Sequence, residues 1–271
     1  MAFLPNRRVP IAAGADALYD AWLADIDRAL DDPKTDRWEL CRRVLTEIYY
    51  PELAGVDPDT LPLGTRVALA QMDARNVTRE PEYYAETDDE RYARVKPLLW
   101  MWEMFDASPL GENVHLGVKF RRILARRIFR RCGRNFKAFH QVKFSFGYNM
   151  EVGDNVVVHR EVLLDDRGGI RLGNGVSISD FANVYSHSHD IVEGREIETP
   201  VTVIGDGVRV TYHATVMSGV TLAEGTMLGS FAVATRDTEP HSIYVGIPAR
   251  KVRDKPLRER PPATPDPLAD E

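Results

Sequence analysis

At 271 residues the chain has room for one large domain or two smaller ones, and with 44% hydrophobic and 28% charged residues it can bury a core. A net charge of −6 gives no general attraction for nucleic acid. Cys41 and Cys132 fall in no ligand or redox spacing, the N-terminal stretch has no apolar leader core, and no later apolar run is long enough to span a bilayer, so a cytoplasmic protein is expected.

In chain order, Leu18, Trp22, Ile26, Ala29 and Leu30 share one face of a helix predicted over residues 16–31. Trp38, Cys41, Val44, Leu45 and Ile48 repeat the pattern over 36–50, and Pro51 ends it. A turn-rich stretch, ELAGVDPDTLPLG, separates this pair from Thr87-Asp88-Asp89-Glu90. That tetrad reads as a capping box for a third helix through Tyr92, Val95, Leu98 and Leu99, which Pro97 should kink or split. Apolar stripes of this kind are core. Residues 1–112 are therefore read as a helical region docked on the rest.

Residues 119–137, KFRRILARRIFRRCGRNFK, hold nine basic residues and no acid. With Ile123, Leu124, Ile128 and Phe129 as an apolar face, residues 113–137 read as a basic amphipathic connector helix whose arginines pair with the acidic remainder. An anionic substrate or a membrane surface stays open as its partner. No aromatic residues interleave to stack bases, so nucleic acid is not expected.

The strongest pattern runs over 204–234, where Ile204, Val210, Val216, Leu222, Leu228 and Ala234 keep a strict six-residue interval. Val208, Ala214, Val220, Thr226 and Ala232 follow the same interval. Neither a helix nor a flat strand repeats at six, whereas short parallel β-helix coils do. Leu172, Ile178 and Val184 form an earlier run with Val176 and Ala182, and Val152, Val158 and Leu164 one before it with Val156 and Val162. The phase slips by two residues at Asp165–Gly169, and again across 188–200, which is therefore a loop thrown out of the coil. That loop opens on Tyr185-Ser186-His187-Ser188-His189-Asp190, the densest histidine cluster in the chain.

Four segments of 139–253 resemble the hexapeptide-repeat acyltransferases of the maltose and galactoside O-acetyltransferase type: FSFGYNMEVGDN, LLDD with GGIRLGNG, YSHSHD, and VGIPARKVR. The resemblance implies a mainly β fold, a left-handed parallel β-helix over 138–253, carrying the extra helical region. It also implies a homotrimer with sites between subunits and an acyl-CoA, acetyl or succinyl, as co-substrate with no permanently bound cofactor or metal. The acceptor would be a hydroxyl of a sugar, oligosaccharide or polysaccharide. The tail 254–271 is Pro-rich and charged, and is expected to be disordered.

Imidazole suits a base that takes the acceptor proton at neutral pH. Seventeen residues after Leu172 stands His189, where the family keeps its catalytic histidine; His187, two residues earlier, would face the same side of a strand and either orient the acceptor or be the base itself. Tyr212 matches the family's backbone oxyanion donor, and Ser230, Thr235, Arg236, Arg250 and Arg253 match its CoA contacts. Two departures stand out. Arg209 replaces the usual tryptophan and could pair with a carboxylate on the acyl chain, and His159 stands where asparagine is common. His159 and Asp166 are the candidates for holding the acceptor. Two other readings remain: a non-catalytic scaffold, and a γ-carbonic-anhydrase-like metal site built from His187, His189 and His213.

Overall fold

The computed structural model describes residues 9–192, 194, 196–256, 266, 268 and 269. Its N-terminal part holds five α-helices, α1 (Ala15–Asp31), α2 (Arg37–Tyr49), α3 (Leu63–Ala70), α4 (Asp89–Ala107) and α5 (Val114–Ile128). α1 packs on α5 through Trp22, which stacks on Phe120 at 5.6 Å; its buried edge is Leu23, Ile26 and Leu30, while Leu18 turns out to solvent. α4 is capped by the Asp88 carboxylate accepting from Arg91 N–H, and the Thr87 hydroxyl instead donates to the Pro81 carbonyl. Pro97 does not split α4. It lies buried inside one continuous helix, where packing on both sides offsets the lost hydrogen bond.

α5 ends at Ile128, well before Lys137, and the basic residues beyond it enter the first coil. The bases of the stretch largely pair with acids: Lys119 with Asp20, Arg127 with Asp27 and Asp31, Lys137 with Asp266, and Arg121 with Asp106. The Arg121–Asp106 pair is fully buried. Arg121 also donates to the carbonyls of Ala138 and Gly111, and Asp106 accepts from Gln141 N–H, so the pair ties α4 and α5 to the β region.

The β region is a parallel solenoid of about six turns, a left-handed β-helix. Its coils read β1 (Arg131–Cys132), β2 (Lys137–Ala138), β3 (Lys143–Phe144); β4 (Met150–Val152), β5 (Val157–Val158), β6 (Leu163–Asp165); and β7 (Ile170–Leu172), β8 (Ser177–Ile178), β9 (Asn183–Tyr185). After an outlying hairpin, β10 (Ser188–His189) with β11 (Ile197–Glu198), come β12 (Thr202–Ile204), β13 (Arg209–Val210), β14 (Thr215–Val216), then β15 (Thr221–Leu222), β16 (Met227–Leu228), β17 (Val233–Ala234). β18 (Ser242–Val245) and β19 (Arg250–Asp254) close the end as an antiparallel pair.

Three faces result: β1-β4-β7-β12-β15, β2-β5-β8-β13-β16-β18-β19, and β3-β6-β9-β14-β17. The six-residue series stacks in register inside them, Val152–Leu172–Ile204–Leu222 on the first, Val158–Ile178–Val210–Leu228 on the second, Leu164–Val184–Val216–Ala234 on the third. All of these side chains are buried. Burying a Val or Leu contributes roughly 1.5–3 kcal/mol, so the rows are the coil's main stabilising term.

The two-residue slip has a cause. Arg131 pairs with Glu151 and Glu151 with Arg171, a step of 20 residues, against 18 between Val203 and Thr221. The extra residues widen the corner between the third and first faces, and the Asp166 carboxylate fills it by accepting from Phe146 and Asn149 N–H at 2.8 and 3.1 Å. At Gly168 a Cβ would lie 2.3 Å from the carbonyl oxygens of Ser186 and Thr199, so only glycine fits where the outlying hairpin leaves and returns. Most of the tail lies outside the described residues. Where it is described, Asp266 and Leu268 are held by Lys137 and Arg122. No helix among the described residues is long and apolar enough to cross a membrane.

Candidate active site

The chain leaves the third face at Tyr185, and three consecutive positions then do different work. Ser186 is fully buried: its hydroxyl donates to the Asp165 carbonyl at 2.6 Å and accepts from Gly168 and Gly169 N–H. With that residue pinned, His187 projects at the mouth of the corner and His189 follows on β10, paired opposite Ile197. The two imidazoles meet edge to face, centroids 5.5 Å apart. Sequence order and pairing thus bring both histidines to one corner.

Their hydrogen bonds differ. His187 Nδ1 is bonded to Asp165 Oδ2, and the other oxygen of this buried carboxylate accepts from the Ser145 hydroxyl at 2.6 Å. His189 is exposed, with Nδ1 3.3 Å from the Gly194 carbonyl. A carbonyl only accepts, so this contact selects the Nδ1–H tautomer and leaves the His189 Nε2 lone pair without a partner among the described residues. Asp165 and Ser145 were not among the sequence candidates. Their signal was present, because alternation from inward Leu164 sends Asp165 outward, level with Tyr185 and beside His187.

Asp166 is corrected. It is fully buried with its oxygens on backbone amides, and burial pushes its carboxyl up to about 6, so it holds the corner's backbone and cannot meet an acceptor. His159 lies on another corner, between the second and third faces, stacked on Phe139 at 5.1 Å. Burial lowers its pKa, opposed by the pull of Asp180 and helped by the push of Arg209, so the charged ring is disfavoured. His159 and Asp166 are therefore not brought together.

Tyr212 follows β13 at the corner that His159 shares. Its neighbours Thr211 and His213 donate their N–H groups to Leu228 and Asp180, whereas among the described residues the Tyr212 N–H meets no acceptor. Ser230 lies beside it, its hydroxyl 3.4 Å from that of Thr211. Arg209 points outward on the second face between Ser177 and Met227. Thr235 and Arg236 follow β17, and Arg250 and Arg253 lie on the closing strand; all are exposed. None of Arg209, Arg236, Arg250 and Arg253 has an acidic partner among the described residues, in contrast to the paired bases of α5. His213 is sandwiched between Phe181 and Phe231 at 4.9 and 4.8 Å, away from His187 and His189. Among the described residues no group of three His, Cys, Asp or Glu side chains could hold a metal ion.

The coil has counterparts among known proteins. The galactoside O-acetyltransferase of Escherichia coli K12 is 25% identical over 142 residues, 51% of this chain and 70% of that protein. A provisionally named acetyltransferase of Staphylococcus aureus MRSA252 is 32% identical over 113 residues, and the chain spans only 56% of its length. Among solved structures, a maltose O-acetyltransferase of Clostridium difficile 630 aligns over 65% of this chain and 92% of its own, at 22% identity and a TM-score of 0.55. A Vibrio cholerae hexapeptide-repeat acetyltransferase complexed with acetyl-CoA aligns over 62% and 89%, at 22% identity and 0.53. The chain is thus similar in part of its sequence to acetyltransferases and shares the fold of the hexapeptide-repeat ones. No family model matches it.

Proposed function

We propose that this acetyltransferase homologue moves an acyl group from CoA to a hydroxyl of a sugar, oligosaccharide or polysaccharide, with His189 as general base. The carrying observation is the exposed His189 ring, held through Nδ1 with Nε2 meeting no partner among the described residues. The acceptor O–H attacks the thioester carbonyl as Nε2 takes its proton. The oxyanion so formed is met by the Tyr212 N–H. The C–S bond then breaks, the imidazolium returns the proton to the thiolate, and an ester and free CoA leave. A positioned base contributes about 10²–10⁴-fold and an oxyanion donor about 10²–10³-fold.

Ser230, Thr235, Arg236, Arg250 and Arg253 would contact CoA, whose phosphates suit the planar fork of unpaired arginines. Arg209 would meet the acyl end and favour a succinyl over an acetyl group through its carboxylate. His159, on the corner that Tyr212 shares, remains the candidate for the acceptor. His189 and Arg209 lie on different sides of one coil, so a second copy of the chain would complete each site, in keeping with a homotrimer. Cys41 and Cys132, which form no disulfide with each other, fit a reducing compartment such as the cytoplasm.

A second reading of the base rests on Asp165. A buried carboxylate on Nδ1 orients His187 in the way a triad orients its histidine. Thiol release from acetyl-CoA and succinyl-CoA across a carbohydrate panel tests both. His189→Ala is expected to lower kcat by about 10²–10⁴-fold and His187→Ala by less; the reverse order would move the base to His187. A preference for acetyl that survives Arg209→Trp would sink the succinyl assignment.

A further inference from the structure

Lys137, on β2, is only 5% exposed, and among the described residues the acid that meets its ammonium is Asp266, at 2.5 Å. Lys119, Arg121 and Arg127 find their acids on α1 and α4, whereas Lys137 draws its acid from the C-terminal segment. Arg122, 6% exposed, donates from Nε to the Phe136 carbonyl at 2.8 Å and from Nη2 to the Leu268 carbonyl at 2.7 Å. Two buried cations thus hold one short segment. The segment is also turned on itself there, Leu268 N–H donating to Asp266 Oδ1 at 3.0 Å and Ala269 N–H to the Asp266 carbonyl at 3.1 Å. Burial raises the Asp266 carboxyl, but Lys137, the Leu268 N–H and the Asn135 side chain outweigh it and hold the group below the ordinary range. Asp266, Leu268 and Ala269 line a groove together with Leu23 of α1, Ile123 of α5 and Phe139.

A buried ammonium is costly without a counter-charge, so this place calls for a carboxylate. In sequence Asp266 lies between Pro265 and Pro267, and each proline limits the backbone freedom that docking must remove. The reach suffices within one chain. Asp254 ends β19 and Asp266 follows twelve residues later, up to about 40 Å of chain, against about 29 Å for the strand spacings from β19 across the second face to β2. We propose that Lys137 and Arg122 form a carboxylate-peptide site, and that the C-terminal segment of this chain is its built-in, displaceable ligand. The end of the chain is thereby fastened to the junction of α5 and the first coil. The site belongs to the second face, apart from the histidine corner, and does not rest on the acyl-transfer reading.

The test uses the full chain and a fluorescent peptide with the sequence of residues 261–271, followed by anisotropy. Asp266→Asn removes the built-in carboxylate and frees the site. This variant should bind the peptide about tenfold more tightly than the unaltered chain, whose own segment competes at a roughly millimolar effective concentration. The same peptide carrying Asp266→Asn should not bind. In addition, Asp266→Asn should lower the Tm of the otherwise unaltered chain by about 5 °C and leave that of Lys137→Met in place. Equal peptide affinity for the two chains, or binding by neither, overturns the proposal. A Tm loss of the same size in both backgrounds overturns it as well. If Lys137→Met fails to fold, the peptide comparison decides alone.

Discussion

Single side chains at the corner between the third and first faces answer to different forces. Asp165 and Asp166 are adjacent and both buried, yet one meets an imidazole and the other only amides. For Asp166 the amides of Gly147, Phe146 and Asn149 pull the carboxyl down, but burial outweighs them and pushes it up to about 6 from the ordinary 3.8. The folded chain thus holds this proton more tightly than the unfolded one. The contribution is fully present below the unfolded value and is lost as pH rises through 6. Urea titrations should show the unfolding free energy falling between about pH 4 and 6 by up to about 3 kcal/mol from this group, at 1.36 kcal/mol per unit, with the slope absent in Asp166→Asn. A difference between the two proteins that grows in the wild type's favour over that window contradicts the assignment. Among the exposed cations, Arg236→Ala and Arg250→Ala should each raise the KM for acetyl-CoA about tenfold and leave kcat in place, measured by thiol release.

Elements hold together through two devices of different character. The coil rests on stacked apolar rows, so Ile178→Ala, at a fully buried position between Val158 and Val210, is expected to cost about 2–5 kcal/mol and Ile178→Val about 0.5–1.5, measured by urea unfolding. The junction of helices and coil rests on Arg121 and Asp106. Removing one partner strands a buried charge, so Arg121→Ala should cost about 3–5 kcal/mol, more than loss of the exposed Arg94–Glu90 pair, for which about 0.3–0.5 is expected. Equal losses at the two pairs would mean that the buried one does not carry the junction. The six-residue rows were legible in the sequence because every inward position is aliphatic. The first coil was not. Its inward Cys132, Ala138 and Phe144 keep the interval, but Arg131, Arg134 and Lys137 around them read as a continuing basic helix, and only pairing with β4 and β5 shows otherwise.

For the whole molecule, the candidate groups fall on separate corners of a single coil, so the proposed site needs a second copy of the chain to be complete. Sedimentation should give three times the 30.6 kDa chain mass, and acetyl-CoA at a hundred times its Kd should stabilise the native protein by about 2.7 kcal/mol, seen as a rise in Tm. A monomer that turns over at full rate would remove the need for shared sites. Of the candidate site, His187 and His189 were legible because a broken repeat marks a loop, and their corner follows from the count. Asp165 was not, since this carboxylate sits one residue from the one singled out.

By itself the sequence determined the coil, its interior rows and the place where the repeat is interrupted, because these are local: each six-residue unit carries its own inward aliphatic group. What it left undecided was which charges meet. Arg167 finds Glu86 and Tyr84, and Arg121 finds Asp106, across separations that no local spacing encodes. Such pairings depend on how the helical region lies against the coil, and that is fixed only when long-range packing buries both partners together.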